Sequence, residues 1–188
     1  IIEDAAELQV KAEHVVNFET RKADSERGVT EVTIRDLVVS AMRLRPDRII
    51  VGEVRGEEAL DLIQVMNTGH DGSMGTVHAN NPVDACTRLE TLCLMGDTKI
   101  PPDAVRKMVG SAMQIIVQCS RFHDGGRRTS HVSEIIGIDK NGNYNHSTDS
   151  TATRLKNNED EGSSNLNKGF SSSGIISGTN LGIGRSHI

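Results

Sequence analysis

From Ile1 to about Asp139, short apolar runs alternate with segments of helical period. Strands separated by helices predict a mainly parallel sheet with helices packed on it, an α/β fold. The strand candidates are His14 to Glu19, Arg48 to Val51, Ser73 to His78, Gln114 to Cys119 and Val132 to Asp139. Arg48-Ile49-Ile50-Val51 is continuous rather than alternating, as in a strand buried on both faces. Between these lie the helices. Thr33 and Asp36 have capping-box spacing, and Ile34, Leu37, Val38 and Ala41 keep the helical period behind them. Glu57 to Asn67 is closed by Gly69. Asn81-Pro82 opens a helix to about Met95, with Asn as cap and Pro in the first turn. Asp103 to Ala112 follows, and Asn141-Gly142 makes a turn after the last strand.

Composition narrows the function classes. The chain has 188 residues, no Trp and only 2% aromatics, so its core is aliphatic. A net charge of -5 argues against broad nucleic-acid binding by charge. No apolar run approaches the roughly 18 residues of a membrane-spanning helix, and no signal peptide is recognisable. Any membrane contact is therefore expected to be peripheral. The first residue is Ile1, not Met, and the chain is expected to be a piece of something longer. Cys86, Cys93 and Cys119 have no CxxC spacing, so neither a disulfide framework nor a zinc site is indicated. All three read as reduced, buried thiols of a cytoplasmic protein, and Cys86 and Cys93, seven apart, share a helix face. After about Tyr144 the sequence turns to Ser, Asn, Gly, Thr and charge. The expected division is a folded domain over 1–146 and a disordered tail over 147–188, where apolar area is too small to offset ordering entropy. Gly174-Ile175-Ile176 and Leu181-Gly182-Ile183 are its apolar spots and the places where it could dock, with disorder the expected state.

Three clusters carry chemistry. The first is Ile2-Glu3-Asp4-Ala5-Ala6-Glu7. The second runs from Arg43 through Arg45 and Arg48-Ile49-Ile50-Val51-Gly52-Glu53 to Arg55. The third is Thr68 to Asn80, with His70, Asp71 and His78. A buried strand that delivers Gly52 and Glu53 at its C-terminal end places a carboxylate where open parallel sheets bind ligands. Such a carboxylate can deprotonate water or hold Mg²⁺ through water. A surface Glu at a strand end is the plainer reading. His78 ends another strand and can donate a hydrogen bond to a phosphate oxygen; a structural role is its plainer reading. Zinc at His70, Asp71 and His78 lacks a fourth ligand.

Together the clusters resemble the Asp box, Walker B region and His box of the type II/type IV secretion ATPases. "RPDRIIVGEVRG" and "GHDGSMGTVHAN" are the most specific blocks. Over Ile1 to roughly Ile138 the chain is similar to the CpaF-type ATPases of Flp/Tad pilus assembly. The resemblance implies part of a RecA-like P-loop NTPase core, with ATP and Mg²⁺ as cofactors. It implies that Glu3 and Asp4 lie near the attacking water and Mg²⁺, with Mg²⁺ held through water near Glu53 and Asp4 rather than in a protein-only site. It implies Glu53 as catalytic base, His78 as γ-phosphate sensor, His70 as its support, and Arg43, Arg45 and Arg55 in phosphate or intersubunit roles. It also implies a homo-hexamer, cytoplasmic and peripheral at the inner membrane, working with inner-membrane platform proteins.

One departure from the family pattern stands out. No GxxxxGK[ST] occurs in this chain. Without it there are no loop amides and Lys to cradle phosphates, so this piece alone is expected to be inactive. Two functions follow: a motor that couples ATP hydrolysis to pilus assembly or secretion, or a non-catalytic interaction protein that keeps the RecA-like surface. A RecA-like helicase is disfavoured by the acidic balance and the His box.

Overall fold

The computed structural model describes residues 1–96, 99–149 and 172–176. Four strands form its parallel half, in the order β2 (Phe18–Glu19), β1 (Ile2–Glu3), β3 (Ile50–Val51), β4 (Met74–His78). The register pairs Ile2 with Phe18 and Val51, and Val51 with Gly75. Helix α1 (Ile34–Met42) crosses from β2 to β3 and α2 (Glu58–Asn67) from β3 to β4. Two helices, α3 (Pro82–Cys93) and α4 (Pro102–Ala112), lead on to β5 (Ile115–Arg121). A hairpin joins β5 to β6 (Arg127–Ile138), and a second joins β6 to β7 (Tyr144–Asp149).

The capping signals are realised. Thr33 Oγ1 accepts from the Asp36 amide, and an Asp36 carboxylate oxygen accepts from the Thr33 amide at 2.9 Å. Asn81 Oδ1 accepts from the Asp84 amide at 2.8 Å. Gly69 has φ of 89°, the left-handed conformation its place after α2 requires. The helices pack on one another in succession, α1 on α2, α2 on α3 and α4, α3 on α4, so they form one layer. Val38, Val51, Leu62, Ile63, Val65, Leu89 and Ile116 are buried beneath it. Gly75 lets α2 approach β4: a Cβ there would meet Leu62 Cδ2 at 3.1 Å and Val54 Cγ2 at 3.3 Å. Cys86 and Cys93 are buried in this core, and burial pushes both thiols up to about 12. Cys119 is exposed.

Several boundaries differ from the expectation. His14 to Glu19 shortens to the strand Phe18–Glu19, and Arg48 to Val51 to Ile50–Val51. Ile50 is half-buried rather than enclosed, because among the described residues the helices cover one face. The last expected strand begins earlier, at Arg127, because Gly125, with φ of 80°, and Gly126 close a hairpin onto β5. The parallel half is as expected, but the pairs on its far side are antiparallel.

The segment read as a disordered tail has two described pieces, and both are strands. Residues 147–149 extend β7, held by the Asp139–Asn143 turn, where Asp139 Oδ1 accepts from the Asn141 and Asn143 amides at 2.8 Å each. Ser172–Ile176 forms β8, which runs antiparallel between β4 and β5, pairing His78 and Cys119 with Ser172 and Met74 and Ile115 with Ile176. These described residues are paired because β4 and β5 offer facing backbone edges that a strand of almost any sequence can pair. Leu181-Gly182-Ile183 lies outside the described residues.

Candidate functional site at the C-terminal edge of the parallel strands

Strands β1, β3 and β4 run in one direction and end at one edge of the sheet. Their ends carry Glu3 with Asp4, Gly52 with Glu53, and His78. One backbone and one side-chain bond to Thr76 fix the turn after β3: the Val54 amide donates to Thr76 O at 2.8 Å, and Thr76 Oγ1 donates to Gly52 O at 2.5 Å. Glu58 at the start of α2 holds the next turn, accepting from the Arg55 and Gly56 amides at 2.6 and 2.9 Å. Beyond β4, the buried Gln118 donates to Ala79 O at 3.3 Å and steadies the turn after His78.

Glu53 is the centre of this edge. Its Oε2 accepts from Arg55 Nη2, and its Oε1 lies 3.1 Å from His78 Nε2. The Arg55 hydrogen bond holds the Glu53 carboxyl below its ordinary value of 4.5, with further help from the charges of Arg55, His78 and Arg88. Arg55 also reaches Asp4, with Nη1 at 3.9 Å from Oδ2. Asp4 Oδ1 in turn accepts from Thr20 Oγ1 at 3.2 Å. The structure therefore brings together Asp4, Glu53, Arg55 and His78.

Glu3 is close by but committed elsewhere. It is buried, and its Oε1 accepts from the Glu7 and Leu8 amides at 3.2 and 3.1 Å. It shapes the acidic loop. Gly52 makes room for it: a Cβ there would lie 2.9 Å from Glu3 Cγ. His70 is not brought to this cluster. It precedes β4 whereas His78 ends it, which separates them by roughly 13 Å of strand rise. The same separation divides the His70, Asp71 and His78 set that zinc would need. Arg43 caps α1 and Arg45, with φ of 52°, follows it; both lie in the turn that enters β3 from its other end. Neither guanidinium has a hydrogen bond or ion pair among the described residues.

The site opens into a groove of about 500 Å³, whose walls include Arg55, His78 and Asn80 on one side and Asp84, Thr87 and Arg88 of α3 on the other. The α3 residues escaped the sequence reading. Helical phase would have found them, since positions 84, 87, 88 and 91 share a face that starts beside His78. A carboxylate flanked by three cationic or proton-donating groups, beside an open groove, can bind an anion and direct a water at it.

Comparison with known proteins fits this arrangement. The family described as type II/IV secretion system protein matches residues 1–168. The chain belongs to that family. A Mycobacterium tuberculosis protein named for conjugal transfer is 44% identical over 132 residues, 70% of this chain and 37% of the relative. The conjugal transfer protein TrbB of Rhizobium radiobacter is 38% identical over 149 residues, 79% of this chain and 41% of the relative. Among solved structures, the VirB11 ATPase of the Brucella suis type IV secretion system, crystallised with sulphate, has a TM-score of 0.57 at 29% identity. The match covers 70% of this chain and 38% of that one. This secretion-family chain thus spans about two fifths of the length of these relatives. Among its described residues no helix is long and apolar enough to cross a membrane, and none of their His, Cys, Asp and Glu side chains form a group of three or more that could hold a metal.

Proposed function

We propose that this chain is the water-activating half of an ATP-hydrolysis site in a secretion or conjugation motor. The observation that carries the reading is Glu53, held between Arg55 and His78 at the end of β3 and beside an open groove. Glu53 is the base for the attacking water. In the present arrangement both its oxygens are engaged, so it acts once Arg55 and His78 turn toward the γ-phosphate. His78 then reads the presence of that phosphate. The relatives named for conjugal transfer and the sulphate in the VirB11 crystal support a motor with an anion site. The blocks "RPDRIIVGEVRG" and "GHDGSMGTVHAN" support the finer reading of a CpaF-type pilus-assembly motor.

Glu53 and Asp4 bracket the Arg55 guanidinium, a pair of hard oxygen donors suited to Mg²⁺ held through water. When bound, Mg²⁺ would neutralise charge on the phosphates. The complete protein is proposed to be a homo-hexamer, cytoplasmic and peripheral at the inner membrane, working with platform proteins there. Arg43, Arg45 and His70, at the opposite edge of the sheet, are proposed to face a neighbouring subunit. The chain alone contains no GxxxxGK[ST] and is proposed to hydrolyse no ATP.

The test uses the complete protein. Glu53→Gln keeps size and hydrogen bonding but removes the base, so hydrolysis falls on the order of 10²-fold or more while ATP binding survives. His78→Ala also cuts turnover and leaves ADP affinity nearly unchanged. Near-normal turnover in Glu53→Gln removes the proposal. Joint loss of ATP binding, ADP binding and melting temperature in His78→Ala makes His78 structural.

A further inference from the structure

The cations around the groove are not equally free. Arg55 is engaged by Glu53 and Asp4, and His78 by Glu53. Arg88 is exposed on α3, and its guanidinium has no hydrogen bond or ion pair among the described residues. The carboxylate one turn before it does not take it: Asp84 Oδ2 accepts from Asn81 Nδ2 at 2.8 Å. The hydroxyls of Thr87 and Thr91 are turned back onto their own helix, donating to Val83 O at 3.3 Å and Thr87 O at 3.1 Å. Yet the Arg88 charge reaches Glu53, whose partners Arg55 and His78 line the same groove. A guanidinium has five donors in a planar fork, and the partner it matches best is a carboxylate or a phosphate. Here it lines an open groove whose other cations are already occupied.

We propose that Arg88 is the residue of this groove that captures the phosphate chain of the incoming nucleotide, while Arg55 and His78 still hold Glu53. This rests on reading the groove as the nucleotide-facing one. Capture then sets an order of events. Phosphate oxygens fixed by Arg88 compete with Glu53 for Arg55 and His78, and their departure frees the Glu53 carboxylate for water. Arg88 contributes affinity; Glu53 contributes the proton transfer.

Tripolyphosphate is a suitable probe, because it offers the phosphate chain without base or sugar. The whole chain is titrated with it at low salt and followed by NMR through the Arg88 Nε–H and the backbone amides of residues 87–92. The expected result is saturable binding that Arg88→Gln weakens about tenfold or more, with an unchanged melting temperature. Arg88→Lys restores part of the affinity, since it keeps the charge and loses the fork. Arg27→Gln, which removes the same charge elsewhere, leaves affinity as it was. Binding by Arg88→Gln equal to that of the unmodified chain overturns the proposal, as does no binding by the unmodified chain. The two readings fail separately. Weakened tripolyphosphate binding in Arg88→Gln beside full turnover in Glu53→Gln removes the catalytic role of Glu53 and keeps Arg88 as an anion site.

Discussion

At the scale of single residues, Glu53 shows how position and partners divide the work. Its place was legible, because a continuous apolar run ending in Gly-Glu puts a carboxylate at a sheet edge. Its partners were legible only in part. Arg55 and His78 lay in recognisable blocks, but Arg88 emerges only once α3 is phased against the groove. The hydrogen bonds of Glu3 were not legible for a related reason: nothing in Glu3-Asp4 says which acid folds back onto the amides of residues 7 and 8. The Arg55 contact also makes a prediction about pH. The folded-state value of Glu53 is depressed, so the pair stabilises the fold fully above the ordinary value of 4.5 and loses that contribution as pH falls below it. Acid titration of the melting temperature should therefore be shallower in Glu53→Gln than in the unmodified chain. Parallel acid limbs in the two proteins would show that the pair contributes nothing.

At the scale of elements, α1 was the clearest in the sequence, since local chemistry sets both its start and its buried stripe. Thr33→Ala removes one half of its capping box and should cost about 1 kcal/mol, read as a lower urea midpoint at unchanged slope. An unchanged midpoint would mean that packing on α2 alone sets the stability of α1. Strand β4 taught the opposite lesson. His70 and His78 sit in one sequence block, yet the strand between them sends them to opposite edges of the sheet. Strand β8 was legible only as the apolar spot Gly174-Ile175-Ile176. Ile-Ile favours a strand but Ser-Ser-Gly does not, and the pairing depends on two edges that lie far away in the chain.

At the scale of the molecule, β8 joins the parallel half of the sheet to the antiparallel half. A net gain near 1 kcal/mol per hydrogen bond is set against about 1–2 kcal/mol per residue for ordering the backbone, so such a strand is held only weakly. Native-state hydrogen exchange should open β8 first, well below the global unfolding energy, and a chain ending at residue 171 should lose protection along the facing edges of β4 and β5. Amides of β8 that exchange as slowly as those of the β5–β6 pair would contradict this. The same placement bears on how the chain reaches its native state. Among the described residues, the strand at the middle of the sheet is the one that comes last in the sequence, almost a hundred residues after β4. Contacts so distant along the chain slow the search for the native topology. During synthesis, every other described strand is made while the centre of the sheet still stands open. Two unpaired edges are exposed through that interval, and such edges are where a nascent chain is most apt to pair with a wrong neighbour.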